Sequence, residues 1–229
     1  MGQIVRKNRK SILMELSDDK NREEAMKKIQ RSIIFVIGIL LWVMQGQSVF
    51  AAGSAELLSG TIANTTISYR LTADGTLTIY SDNIEKMPNY TVNSTVPWAA
   101  QKDKIKKVQI NSYLKNIGDY AFYGCNSLES VVIQDSKLTE IGIAAFKNCT
   151  NLKTINIPET VKVIGTMGFA NCNSLQSTKK SPVNIPKGNT EIMDFAFAGC
   201  KSMQYIKIPA SVEMIGNCAF FECDFLSEI

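Results

Sequence analysis

Sulfur is the first place to look for chemistry in this chain, because it holds six cysteines and no histidine. Without histidine no Ser–His or Cys–His nucleophile pair can form. No two cysteines have CxxC spacing, so neither a zinc site nor a dithiol redox motif is indicated. There is no Gly-rich phosphate loop and no dinucleotide fingerprint. Aspartates and glutamates are scattered, and nothing points to a Ser–Lys pair. The sequence therefore argues against an enzyme and implies no cofactor. An even cysteine count in an exported chain normally suggests disulfides. Here five of the six, Cys125, Cys149, Cys172, Cys200 and Cys223, share one local setting. A regular row of small apolar residues reads as a buried file of thiols instead. Cys218 falls outside the row, and a turn separates it from Cys223.

That shared setting is a repeat. The stretch 117–133 reads IGDYAFYGCNSLESVVI, and its Ile-Gly, Ala-Phe, Cys, Leu and β-branched pair return at fixed offsets. Phe122, Phe146, Phe169, Phe197 and Phe220 mark the copies, at intervals of 24, 23, 28 and 23 residues. A period in the low twenties is the signature of a leucine-rich-repeat solenoid. Within a copy, Val131 and Ile133 are two apart and share one strand face, while Ser130 and Val132 take the other. Ile155 and Ile157 repeat the inward pair. So short a strand cannot bury its apolar side alone; stacked coils make the rows continuous. Pro158, Pro186 and Pro209 end the ladder one residue after the last inward isoleucine. The Ile-Gly pair predicts a tight bend at a glycine-favouring conformation. The Ala-Phe-x-x-Cys segment predicts one helical or 3₁₀ turn. The 28-residue interval carries five extra residues around 177–181, expected to bulge as a loop bearing Lys179 and Lys180.

With five copies of Ile-Gly-x-x-Ala-Phe-x-x-Cys-x-x-Leu in view, residues 105–229 resemble the BspA-like class of leucine-rich repeat found in bacterial surface proteins. The resemblance implies export, display on the cell surface, and binding of other proteins, host surface or matrix proteins among them. It implies no catalytic residues. Copy three departs from the motif at Gly168 and copy four at Met193.

The expected fold is thus a repeat solenoid with a parallel β-sheet on the concave side and short helical or 3₁₀ turns, preceded by a small β-hairpin cap. Three regions are expected. Residues 1–51 combine a long basic stretch, the apolar run 33–44 and small residues before Ala52, the order of a secretory signal peptide. The alternative is a membrane anchor formed by residues 33–50, although a spanning helix needs about 20 apolar residues. Residues 52–104 hold two alternating segments around Ala73-Asp74-Gly75, a hairpin signal. Similar hairpins often precede BspA-like repeats, and this one would cover the first coil. Residues 105–229 are the repeats, with a first coil lacking its own Ala-Phe turn and an incomplete last coil exposing an apolar edge. The Asn-x-Ser/Thr triplets at Asn64, Asn89, Asn93 and Asn148 are read as unmodified.

Net charge is +4, but residues 1–51 account for all of it, with nine basic and five acidic residues. A neutral folded part argues against nucleic acid. The surface left for function is the outward face of the parallel sheet. Alternation assigns to it Lys107, Gln109, Ser130, Val132, Thr154, Asn156, Asn184, Tyr205 and Lys207. The signal segment joined to five repeats, with what the resemblance implies, predicts an exported, adhesin-like module that binds a protein through this face, and touches membrane only if the N-terminal segment is retained. The alternative is a structural fragment of a larger envelope protein.

Overall fold

The computed structural model describes residues 55–227, apart from 112, 135, 136 and 182. The signal-peptide reading of 1–51 lies outside the described residues. The described part is a solenoid. The N-terminal strands are β1 (Glu56–Thr61), β2 (Ser68–Thr72) and β3 (Thr76–Tyr80), followed by a 3₁₀ helix at Ala99–Lys104. Each coil then lays down two strands on opposite sides of the core. These are β4 (Lys107–Asn111) and β5 (Asn116–Ile117), then β6 (Ser130–Gln134) and β7 (Glu140–Ile141). The third coil has β8 (Thr154–Ile155) and β9 (Val163–Ile164), the fourth β10 (Val183–Asn184) and β11 (Glu191–Ile192), the fifth β12 (Ile206–Lys207) and β13 (Met214–Ile215). The back sheet runs β5-β7-β9-β11-β13 without interruption, all parallel. The front sheet runs β1-β2-β3-β4-β6-β8 and stops; β10 and β12 form a separate pair.

Between the sheets the rings stack. Phe122, Phe146, Phe169, Phe197 and Phe220 follow one another at 5.2–5.6 Å between centroids, nearly parallel. The first four are fully buried. Offset stacking of this kind adds about 0.5–1.5 kcal/mol per pair beyond area burial. Trp98 extends the file, stacked on Phe122 at 5.5 Å and donating from Nε1 to the Ala121 carbonyl at 3.0 Å. The first coil therefore has its ring after all, supplied by the segment before it.

The same segment fills the other rows. Strand β3 pairs in parallel with β4, which continues the front sheet across the cap. On the back, Glu85 bridges Leu114, and Asn116 donates to the Met87 carbonyl at 3.1 Å. Tyr90 N–H donates to the Asp119 carbonyl at 2.9 Å. The hairpin region thus imitates a coil: a front strand, a ring and a back rung.

The turns differ in detail from one helical turn. Successive N–H groups alternate between two destinations. Ala121, Tyr123 and Cys125 donate three residues back, while Tyr120, Phe122 and Gly124 donate forward to Ile143, Ala145 and Lys147 of the next coil. A helix would keep every N–H for itself. The forward bonds go with left-handed residues at Tyr120, Ala144, Met167 and Phe195, with φ of 50–57°; Cys218 keeps the same conformation, φ 54°, at the matching place of the fifth coil. Each such non-glycine residue costs about 1–2 kcal/mol, and cross-coil bonding holds it in place. The recurring Ile-Gly pair has a different basis from the bend expected of it. Gly142 and Gly165 do not have positive φ; a Cβ on either would lie within 2.7–2.8 Å of the preceding coil's Ile117 or Ile141 carbonyl. Close approach of the coils, not backbone freedom, requires glycine there.

In the fifth coil Met214, Ile215, Phe221 and Phe225 are exposed, whereas Ile164 and Ile192, in Ile215's row, are fully buried. No helix among the described residues is long and apolar enough to cross a membrane.

Candidate functional site: the front sheet

The cysteines can be set aside first. All six are free. Cys149, Cys172, Cys200 and Cys223 each donate Sγ–H to the carbonyl of a ring residue one coil back, Phe122, Phe146, Phe169 and Phe197, at 3.1–3.3 Å. Burial pushes the Cys125 thiol up to about 12 and the Cys149, Cys172 and Cys200 thiols well above their ordinary range. The thiolate is the reactive form, so this file packs and does no chemistry. Cys218 is exposed and unbonded to Cys223. Among the described residues no group of acidic, cysteine or histidine side chains could hold a metal.

What remains is the outward face of the front sheet. Inward residues are buried: Val108 and Ile110 in β4, Val131 and Ile133 in β6, Val183 in β10, Ile206 in β12. Alternation then aims the intervening side chains outward. Lys107 stands beside Ser130, and Ser130 beside Thr154; Gln109 stands beside Val132; Asn184 stands beside Lys207. Neighbouring strands lie about 4.8 Å apart, so these rows are continuous lines of side chains. Thr154, Asn156, Asn184 and Lys207 are exposed; Lys107, Gln109, Ser130, Val132 and Tyr205 are half-buried. Tyr205 is thus less open than its outward position suggests.

Asn156 has a second task. Its Nδ2 donates to the Ile133 carbonyl and its Oδ1 accepts from the Ile133 N–H, both at 2.8 Å. The side-chain amide stands in for the peptide group that β8 lacks after Ile155. Both polar ends are occupied by the scaffold.

Sequence reasoning missed the part of this face that lies on the cap. Parallel pairing sets Thr76 beside Lys107 and Thr78 beside Gln109, and antiparallel pairing sets Arg70 beside Thr78 and Ser68 beside Tyr80. The face therefore extends through Ser68, Arg70, Thr76 and the exposed Tyr80, with Thr78 buried among them. Arg70 is held by Glu56, Nε to Oε2 at 2.9 Å. Alternation in Thr76–Tyr80 carried the signal for which residues point outward; the junction with β4 was not written in it.

The interruption sits beside Thr154. Thr178 and Ser181 exchange backbone hydrogen bonds at 3.1 Å, closing residues 178–181 into a small exposed hairpin. Ser177, fully buried, is the hairpin's foot. Its carbonyl accepts from Gln204 and Tyr205, and its hydroxyl accepts from the Val183 N–H at 2.7 Å while donating to the Tyr205 carbonyl. One hydroxyl thus satisfies the groups left over where the ladder breaks. The loop expected around 177–181 is present, with Lys179 and Lys180 at its tip.

Comparison with known proteins meets this geometry at the level of the repeat. The family profile described as BspA type leucine rich repeat region, six copies long, matches residues 176–229. The match covers the last two coils; the coils before them carry the same Ile-Gly, Phe and Cys rows. A leucine-rich repeat protein of Bacteroides ovatus, solved as a crystal structure, is similar over 75% of this chain at 27% identity, with a TM-score of 0.54. This chain spans 45% of that protein's length. The leucine-rich repeat protein of T. pallidum is similar over 74% of this chain and 81% of its own, at 24% identity and a TM-score of 0.49. A crystal structure from Faecalibacterium prausnitzii A2-165, titled a leucine rich cell surface protein, covers 77% of this chain and 55% of its own, at 28% identity and a TM-score of 0.42. No curated protein matches the chain. The solenoid offers a sheet with in-register polar rows.

Proposed function

We propose that this chain is an exported cell-surface module, adhesin-like, which binds a protein partner through the outward face of its front sheet. The BspA-type repeats support a surface role. So does the order of basic, apolar and small residues in 1–51. The observation that carries the binding reading is the set of rows from Thr76 through Lys107, Ser130 and Thr154, held in register. A rigid, extended face costs little ordering entropy on association.

The test is retention on immobilised host matrix protein. Thr154→Arg places a bulky cation in the middle of the face and should reduce retention at least about tenfold, the effect of misplacing one charge in an interface. Tyr205→Ala, which removes an interface-favoured aromatic, should act in the same direction. Asn156→Ala is a poor probe, because it would also strip Ile133 of its partners. Wild-type retention by both Thr154→Arg and Tyr205→Ala would remove the front sheet as the binding surface. Export is tested separately: mass spectrometry of the secreted species should find an N-terminus near Ala52.

A second reading draws on the coverage of the Bacteroides protein. In it the chain is a structural segment of a larger envelope protein with no ligand of its own. An in-frame run of repeats downstream of Ile229 in the DNA would favour it.

A further inference from the structure

The two ends of the solenoid are finished differently. Before the first coil the ring row is closed: Trp98 is fully buried, stacked on Phe122, and Tyr69 meets it edge-on at 5.8 Å. At the fifth coil nothing comparable covers the rows among the described residues. Ile215 is 50% exposed, whereas Ile117, Ile141, Ile164 and Ile192 in its row are fully buried. Val212, Phe220, Cys223 and Leu226 are likewise only partly buried, where their counterparts in the preceding coils are closed over. The open flank of this coil is apolar.

Backbone groups on that flank are open too, because β13 is the edge strand of the back sheet. The carbonyls of Ile117, Ile141, Ile164 and Ile192 each accept from the following coil, from the N–H of Gly142, Gly165, Met193 and Gly216 at 2.7–2.9 Å. Ile215 stands at the same place in the fifth coil. Its neighbours point back: Met214 N–H donates to the Thr190 carbonyl at 3.2 Å and Gly216 N–H to the Ile192 carbonyl at 2.7 Å. Backbone groups alternate in direction along a ladder, so Ile215 turns its N–H and its carbonyl outward. One residue thus offers both a donor and an acceptor. Two such residues, directly opposite in an antiparallel pair, exchange both bonds. The rung is complementary to itself, and the closed cap at the other end offers it no such match.

We propose that two copies of this chain associate tail to tail, with β13 pairing antiparallel to β13 of the second copy about a two-fold axis at Ile215. In that register Met214 lies opposite Gly216 and Glu213 opposite Asn217 of the second copy, so no carboxylates face each other across the strands. Isologous pairing uses the same patch on both sides and closes at two. A two-fold axis between antiparallel strands runs perpendicular to their sheet, so both front faces look the same way. The dimer presents the outward rows twice on one side, and a surface carrying many copies of a partner would engage both at once. The inference does not depend on what the front sheet binds.

The test is sedimentation equilibrium of the full chain over a dilution series. Wild type should show a monomer–dimer equilibrium that does not weaken as salt rises, because apolar area and two backbone bonds carry it. Ile215→Lys brings like charges together at the axis and should weaken association at least about tenfold, while Ile215→Val should keep it, with thermal melts of the dilute proteins unchanged. A second pair of variants reads position, whatever the lysine does to the last coil. Opposed residues of a hydrogen-bonded antiparallel pair have Cα atoms about 5.5 Å apart, within reach of a disulfide. Mild oxidation of Cys218→Ser/Ile215→Cys should therefore give a covalent dimer, and Cys218→Ser/Glu140→Cys, at an exposed position in β7, should stay monomeric. A wild type that is monomeric throughout, association untouched by Ile215→Lys, or equal cross-linking at both cysteines overturns the proposal. So does an in-frame run of repeats beyond Ile229, since a sixth coil would take the same rung.

Discussion

The back wall and the front sheet meet the same five-residue insertion and respond differently. Across the third and fourth coils the back ladder continues, with Glu191 beside Val163 and Ile192 beside Ile164. The rings also keep step: Phe169 and Phe197 are 5.2 Å apart, although 28 residues separate them. On the front, β8 ends its sheet and β10 begins another. The spacing between coils is thus set by the ring file, the turn hydrogen bonds and the back wall. The front sheet follows that spacing and can be interrupted without shifting it. The irregularity falls where the scaffold does not depend on regularity, on the face proposed to bind a partner.

The largest expected effect tests the claim that the ring file sets the spacing. Phe146→Ala, in the middle of the file, should lower stability by about 3–5 kcal/mol, the range for removing a fully buried phenylalanine. Phe197→Ala, beyond the insertion, should cost the same within about 1 kcal/mol. Urea denaturation of both variants decides it. A small loss at Phe197 alone would mean that the interrupted coil is held by something other than the rings.

Next comes the seam. Ser177→Ala leaves the Val183 N–H and the Tyr205 carbonyl without their shared hydroxyl. Unsatisfied buried backbone groups cost about 1–3 kcal/mol, and that loss should appear in the same denaturation assay. Ser177→Thr, which restores a hydroxyl, should recover part of it. An unchanged midpoint for the alanine variant would show that the seam is hydrated and carries no stabilisation.

The back wall has its own irregularity, and it points the other way. Asn189 is fully buried in the row that Leu114, Leu138, Val161 and Val212 otherwise fill, and neither of its side-chain polar atoms has a hydrogen-bond partner. Asn189→Val should therefore stabilise the protein, by roughly 1 kcal/mol, the lower end of the cost of burying an unpaired amide. A rise in the thermal midpoint is the readout. A fall would mean that the amide is satisfied in solution and that the back wall is more polar than its pattern.

How far the sequence could be read follows from the same contrast. Period-23 rows report core positions, because every coil must bury Leu, Phe and Cys in the same places; the stack and the outward face followed from that. Trp98 did not follow. It lies 24 residues before Phe122, at the repeat spacing, but without the Ile-Gly and Cys that mark a copy, and only the ring stacking reveals it. The role of Asn156 was hidden for a different reason. An outward polar residue looks the same in sequence whether it faces solvent or hydrogen-bonds an adjacent strand's backbone. The turn geometry was also unreadable, because the choice between an internal and a forward hydrogen bond depends on the neighbouring coil. Alternation within one segment is local information; parallel pairing of β3 with β4 is not.

The smallest expected effect on stability is the sharpest test of the contrast. Deleting residues 178–182 joins Ser177 to Val183 and turns Leu175-Gln176-Ser177-Val183-Asn184-Ile185 into a match for Leu152-Lys153-Thr154-Ile155-Asn156-Ile157. If the ring file and back wall set the coil spacing, the shortened chain should keep its midpoint within about 0.6 kcal/mol, the entropy scale of a modest change in loop length. Its front ladder should become continuous, so the Val183 N–H, which otherwise donates to the Ser177 hydroxyl, should pair with the backbone of the third coil and exchange more slowly. A loss of several kcal/mol would instead make the hairpin part of the scaffold, and the division between a regular back and an interruptible front would fail.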